Sequence, residues 1–245
     1  IRGAFNAMSK AMKSGETKKF VCASAGNHAQ GFAYACQHFG VKGRIYMPVT
    51  TPQQKITKTA SFGGNTIEII MQGDYFDETL KAALEYSENT GAAMLPPFDH
   101  LDVIEGQASV GVEILNQLES PPDMIITPVG GGGLSSGLVK YFDSYEIQFK
   151  FCEPMGGRSL FQSLKHKKLI TLDYVDNFVD GAAVARIGDH NFNILKNQNI
   201  ENVLGIPEGR ICATITEMLN IEGIVLEPAG ALAIDALKDI RDQIV

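Results

Sequence analysis

Four consecutive glycines, Gly130, Gly131, Gly132 and Gly133, follow the apolar run Met124-Ile125-Ile126 and lead into Leu134-Ser135-Ser136. Each glycine costs backbone entropy, so a run of four needs a reason beyond a flexible turn. Anion binding supplies one. Without Cβ atoms the backbone N–H groups converge on a phosphate, and the following helix presents the positive end of its dipole. The run lacks the GxGxxG spacing of a dinucleotide site and the lysine of a P-loop, which disfavours a nucleotide. A second junction of the same kind is Ser24-Ala25-Gly26-Asn27-His28-Ala29-Gln30-Gly31. Its N–H groups suit a carboxylate, and the Asn27 amide suits a phenolic oxygen. Two plainer readings stand beside this one: Ser24 or Asn27 caps the helix, and His28 is a structural histidine. His38, His166 and His190 have no histidine–carboxylate spacing that suggests a metal site.

These junctions need strands before them and helices after them. The apolar β-branched runs Phe20 to Ala23, Gly43 to Met47, Thr66 to Met71, Met124 to Val129 and Ile147 to Cys152 read as strands. Helices are expected over Asn27 to Phe39, with Phe32, Ala35, Cys36 and Phe39 on one face, from Thr51-Pro52, over Asp74 to Asn89 ahead of Gly91, and over Leu101 to Leu118. From Arg158 onward the pattern reads as mainly helical, broken at Asp180-Gly181 and Pro207-Glu208-Gly209. Strands alternating with helices imply an α/β fold with parallel sheets covered on both faces. A boundary is placed near Gly106, giving a smaller lobe, 1–106, with the Asn27 turn and a larger lobe, 107–245, with the glycine run.

The chain has 245 residues, 44% hydrophobic and 20% charged, an ordinary globular balance with room for a sizeable core. A net charge of −7 argues against nucleic-acid or anionic-membrane partners, which demand a basic surface. Lys165-His166-Lys167-Lys168 reads as a solvated helix end. Cys22, Cys36, Cys152 and Cys212 are scattered and read as buried, reduced thiols of a cytoplasmic protein. Neither a signal peptide nor a membrane-spanning apolar run is evident. The chain opens at Ile1 in an amphipathic segment and reads as a piece of a longer protein.

Taken in order, Ile1-Arg2-Gly3-Ala4, the Ser24 to Gly31 turn, Pro96-Pro97-Phe98-Asp99, Glu105-Gly106-Gln107, Gly130 to Leu134, Asp180 to Asp189 and Glu227-Pro228-Ala229-Gly230-Ala231 resemble fold-type II pyridoxal-phosphate enzymes of the serine and threonine dehydratase family. The resemblance spans essentially the whole chain, and the Asn27-His28-Ala29-Gln30 form is similar to the dehydratase branch. It implies a two-lobed fold like the tryptophan synthase β chain, with pyridoxal 5'-phosphate in a cleft between lobes. It implies that Gly130, Gly131, Gly132, Gly133 and Leu134 take the cofactor phosphate, Asn27 meets the ring 3-hydroxyl, and Ser24, Ala25, Gly26, Asn27 and His28 bind the substrate carboxylate. The Schiff-base lysine would immediately precede Ile1, and the serine facing the pyridine nitrogen would follow Val245.

The implied reaction is β-elimination of L-threonine to 2-oxobutanoate and ammonia, feeding isoleucine synthesis, by a homo-oligomer acting on a small amino acid. L-serine dehydratase or serine racemase is the neighbouring alternative, and a noncatalytic piece lacking the lysine is the alternative from another class. Glu227 is either a helix-start acid favoured by the dipole or a group just outside the cofactor's direct contacts. Racemase-like relatives hold a divalent metal on a Glu-Pro-x-x-Ala-x-Asp pattern. Glu153 and Pro154 match it, but Gly157 and Ser159 do not, so no metal is expected.

Overall fold

The computed structural model describes residues 1–15 and 19–244. The chain forms two compact units, Ile1–Gly106 and Gln107–Val245.

The first unit contains α1 (Arg2–Lys13), β1 (Lys19–Ala23), α2 (Asn27–Phe39), β2 (Lys42–Met47), α3 (Gln53–Gly63), β3 (Ile67–Met71), α4 (Phe76–Thr90), β4 (Ala93–Met94) and the start of α5 (Leu101–Gln117). Its four strands pair in the order β3-β2-β1-β4, and every pairing is parallel. Side chains alternate across a strand, and β1 is apolar on both faces. Phe20 and Cys22 join the cluster containing Met8, Phe32 and Cys36, whereas Val21 and Ala23 join Tyr46, Ala82 and Ala83. Full burial of a large apolar side chain contributes about 1.5–3 kcal/mol, so this sandwich of helix, sheet and helix fixes β1 firmly.

The second unit continues α5 and contains β5 (Met124–Pro128), α6 (Gly133–Tyr141), β6 (Gln148–Pro154), α7 (Ser159–His166), α8 (Asp189–Leu195), β7 (Val203–Ile206), α9 (Glu208–Glu217) and α10 (Pro228–Asp235). The order β5-β6-β7 is again all parallel. Ile125, Phe149 and Phe151 pack with Leu138, Leu160 and Leu195, and on the opposite face Cys152 and Ile206 pack with Ile211 and Leu232.

Three sequence expectations change here. Beyond Arg158 the chain is less helical than expected, because β7 lies inside that stretch and 167–188 is irregular apart from one short 3₁₀ turn, Asn177–Val179. Pro207-Glu208-Gly209 is no loop: Pro207 is the N-cap of α9, where its missing N–H costs nothing. Cys22, Cys36 and Cys152 are buried free thiols as read, but Cys212 is exposed. The expected solvated helix end at Lys165 to Lys168 is present at the end of α7, with Lys167 as its C-cap in the left-handed conformation, φ 53.

Candidate functional site

In the first unit the Ser24 to Gly26 turn leaves the C-terminal end of β1, which has β2 on one side and β4 on the other. The chain moves from β1 to β2 in one direction and reaches β4 in the other, so the turn stands at a topological switch point, where open α/β sheets bind ligands. Neither Ser24 nor Asn27 caps α2. The N-cap is Gly26, which has no side-chain capping bond, and Asn27 is the exposed first residue of the helix. Ser24 Oγ instead accepts the Gly26 N–H at 3.2 Å, within the turn. The N-cap glycine brings no side-chain acceptor of its own to the helix start, which suits an anion site.

His28 Nε2 lies 3.0 Å from the Leu95 carbonyl, which follows β4. A carbonyl only accepts, so Nε2 carries the proton. The bond ties α2 to the strand across the switch point, which is the structural reading of this histidine. Burial pulls its pKa down to about 4, against the opposing Leu95 bond. The unfolded chain therefore binds a proton that the folded unit refuses between about pH 6.5 and 4, and stability falls as pH falls through that window. We predict a loss on the order of 3 kcal/mol across it. Urea midpoints at pH 7 and 4.5 check this, and His28→Gln, which keeps an N–H donor, should flatten the difference; an equal acid loss in the variant would assign it elsewhere.

In the second unit the glycine run leaves the C-terminal end of β5 and opens α6, with Gly132 as the N-cap at φ 91 and no side-chain capping bond. The reason for glycine differs in part from the expectation that a side chain would fill phosphate space. A Cβ on Gly132 would come within 2.9 Å of Ile187 and 3.0 Å of Asn191, and one on Gly130 within 2.9 Å of the Ala182 backbone. The protein itself occupies the room beneath these two glycines. The Gly131 carbonyl accepts from the Asn191 side chain at 2.9 Å and from the Gly188 N–H at 3.2 Å. Ser135 Oγ donates to the Pro128 carbonyl at 3.2 Å, and Ser136 Oγ to that of Asn191 at 3.4 Å.

Glu227 is exposed at the N-cap of α10 and makes no side-chain capping bond, with Pro228 as the first helical residue. Its neighbour Ala229 packs on Gly181, where an added Cβ would approach to 2.9 Å, and that same loop lies under Gly130. Three motifs read separately in the sequence thus meet in one small-residue contact. Glu153 is fully buried and accepts from Leu160 and Phe161 N–H at 2.7 and 2.9 Å, so both its oxygens hold the start of α7. Burial lifts its pKa to about 7 against those bonds and the nearby Arg158 charge. Among the described residues no group of three or more His, Cys, Asp or Glu side chains is placed to hold a metal ion, and no helix is long and apolar enough to cross a membrane.

Asn191 went unread in the sequence. It lies one turn before Leu195 on the buried stripe of α8, and a polar residue on such a stripe is the signal that could have found it.

Residues 1–244 match the family model described as pyridoxal-phosphate dependent enzyme. Over its whole length the chain is 44% identical to the biosynthetic L-threonine dehydratase of Bacillus subtilis, and it spans 58% of that protein. Among solved structures it is similar to the processed form of threonine deaminase isoform 2 from Solanum lycopersicum, with a TM-score of 0.87, 38% identity, and 96% of this chain and 67% of that one covered. It is also similar to maize serine racemase, at TM-score 0.90 and 27% identity, covering 100% of this chain and 73% of that one.

Proposed function

The chain belongs to the pyridoxal-phosphate dependent enzymes, and from that premise we propose that it serves the β-elimination of L-threonine. The overall conversion is threonine to 2-oxobutanoate and ammonia: the α-proton and β-hydroxyl leave as water, a water is taken up as ammonia departs, and no oxidant is needed. When bound, the cofactor supplies the electron sink for the substrate α-carbon.

The residues present fit such a group. The N–H groups of Gly130, Gly131, Gly132, Gly133 and Leu134, with the α6 dipole behind them, bind its phosphate. Asn27 donates to its phenolic oxygen, and the backbone of the Ser24-Ala25-Gly26-Asn27-His28 turn binds the substrate carboxylate. His28 serves through its main chain, because its ring is engaged with Leu95. Glu227 acts from outside direct contact, through the 181–188 loop on which its helix packs. A homo-oligomer is proposed from the family resemblance alone. A cytoplasmic setting agrees with the free thiols of Cys22, Cys36 and Cys152, and a net charge of −7 disfavours a nucleic-acid partner.

What carries the proposal is the end-to-end likeness to a threonine dehydratase, with both candidate turns standing at strand C-terminal ends. The test, made on a chain that carries the lysine expected ahead of Ile1, is release of 2-oxo acid from L-threonine, L-serine and D-serine. L-threonine is expected to give the highest kcat/KM. Asn27→Ala should retain the cofactor, lower kcat/KM about 10- to 150-fold for one lost bond to a charged group, and shift the visible absorption of the bound cofactor. Racemised serine without oxo acid would replace dehydration by racemisation, and an unchanged spectrum and rate in the variant would remove Asn27 from the site.

A further inference from the structure

We propose that Asn191 is the positioning residue that aims the Gly132 N–H at the phosphate of the ligand. The proposal rests on the reading of the glycine run as a phosphate cup.

The argument begins with the peptide between Gly131 and Gly132. A trans peptide is planar, so its carbonyl and its N–H point in opposite directions. Whatever holds the Gly131 oxygen therefore also sets the direction of the Gly132 N–H. Two donors hold that oxygen, the Asn191 amide at 2.9 Å and the Gly188 N–H at 3.2 Å. Both belong to the start of α8 and the residue before it, so the Gly132 N–H is turned to the opposite side.

The constraint matters because both residues of this peptide are glycine. Glycine populates positive and negative φ about equally, and a Gly-Gly peptide reverses its direction at little steric cost. In the reversed state a carbonyl oxygen would face the anion in place of an N–H. Gly132 sits at φ 91, one side of that choice, and the Asn191 bond selects it.

Asn191 is itself well anchored. It is fully buried, its main-chain carbonyl accepts from Ser136 Oγ in the first turn of α6, and its Cβ stands 3.0 Å from where a Gly132 side chain would begin. Asn191 thus ties both the loop before α6 and the first turn of α6 to α8. Gly188 remains as the second donor, so losing the Asn191 amide weakens the preference without abolishing it.

The experiment compares pyridoxal 5'-phosphate with pyridoxal, which lacks the phosphate, by equilibrium dialysis and absorbance, with inorganic phosphate as competitor. Asn191→Leu, similar in size but without a donor, is expected to weaken pyridoxal 5'-phosphate and inorganic phosphate about three- to tenfold and to leave pyridoxal unchanged. Equal weakening of both aldehydes would reduce Asn191 to general packing, and no weakening of either would overturn the proposal. If the leucine variant is unfolded by circular dichroism, Asn191→Ala carries the same comparison with the same outcomes. If the unsubstituted protein fails to prefer pyridoxal 5'-phosphate over pyridoxal, the cup reading itself falls, a result distinct from failure of Asn191 alone.

Discussion

Gly132→Ala is expected to destabilise the second unit by about 2–5 kcal/mol and to abolish cofactor retention. Two costs add. A left-handed conformation costs an L residue about 1–2 kcal/mol, and Gly132 has φ 91. Forcing a methyl group against packed neighbours costs a further 1–3 kcal/mol or so, and here the neighbours are the buried Ile187 and Asn191. The loop can relieve the clash only by moving the peptide that Asn191 holds, so stability and anion affinity fall together. Urea unfolding followed by far-ultraviolet circular dichroism reads the first effect, and cofactor content after gel filtration reads the second. Gly209→Ala is the control, because it lies in α9 with nothing within 4 Å of the added Cβ; it should be neutral or stabilising by up to about 1 kcal/mol. A Gly132→Ala protein with unaltered midpoint and cofactor content would contradict both the strain and the packing argument.

A loss of similar size is expected from Asp235→Ala, far from the glycine run in sequence. Asp235 is fully buried in α10 and accepts from Thr214 Oγ1 at 2.7 Å, from Arg210 at 2.8 and 2.5 Å, and lies 3.2 Å from Lys238 Nζ. Removing one partner of a buried pair costs about 3–5 kcal/mol, because the opposite charges are left uncompensated. Here the lower end applies: Arg210 keeps Asp239 at 2.8 Å, Lys238 keeps Glu217 at 3.4 Å, and both cations reach solvent. Burial alone would raise the Asp235 pKa, but the bonds from Thr214, Arg210 and Lys238 outweigh it and hold the carboxyl below its ordinary value. Between the folded and unfolded pKa values the unfolded chain binds more protons. The contribution of Asp235 is therefore complete above about pH 4 and disappears as pH falls through the folded value. Unfolding midpoints from pH 5 to 2 should show this acid slope, and Asp235→Asn should lack it. An Asp235→Ala protein as stable as its parent would show that water solvates the site and that the network is ornamental.

The first unit was largely legible because its signals are local. The apolar face of α2 and the following glycine set the helix from Asn27 to Phe39, and the β-branched runs around Cys22 and Ile45 announced two central strands. The second unit was less so. Val203-Leu204-Gly205-Ile206 is a four-residue run with a glycine, too short for either periodicity to assert itself, and only its pairing with Phe151 to Pro154 makes it a strand. The 167–188 stretch is held by distant partners, such as Leu172 N–H on Ala185 and Asp176 N–H on Gly156, which no local pattern encodes. The candidate site divides the same way. Its two turns announced themselves by composition, but their supports did not: Gly130 and Gly132 are glycines partly because of Ala182, Ile187 and Asn191, fifty or more positions downstream.

That separation also sets an order of events during synthesis. The Asn191 bond to Gly131 closes a loop of 60 residues, and contacts of large sequence separation form late because loop closure must precede their reward. The first unit has all of its own sheet in hand by Met94. The glycine run, already made, must wait until β6, α7 and the 167–188 stretch have been added before α8 arrives to fix its peptide. A nascent chain stopped between Gly133 and Ala182 would therefore carry the anion-binding sequence without Ala182, Ile187, Gly188 and Asn191, the partners that hold it in shape, and cofactor capture would report completion of the second unit.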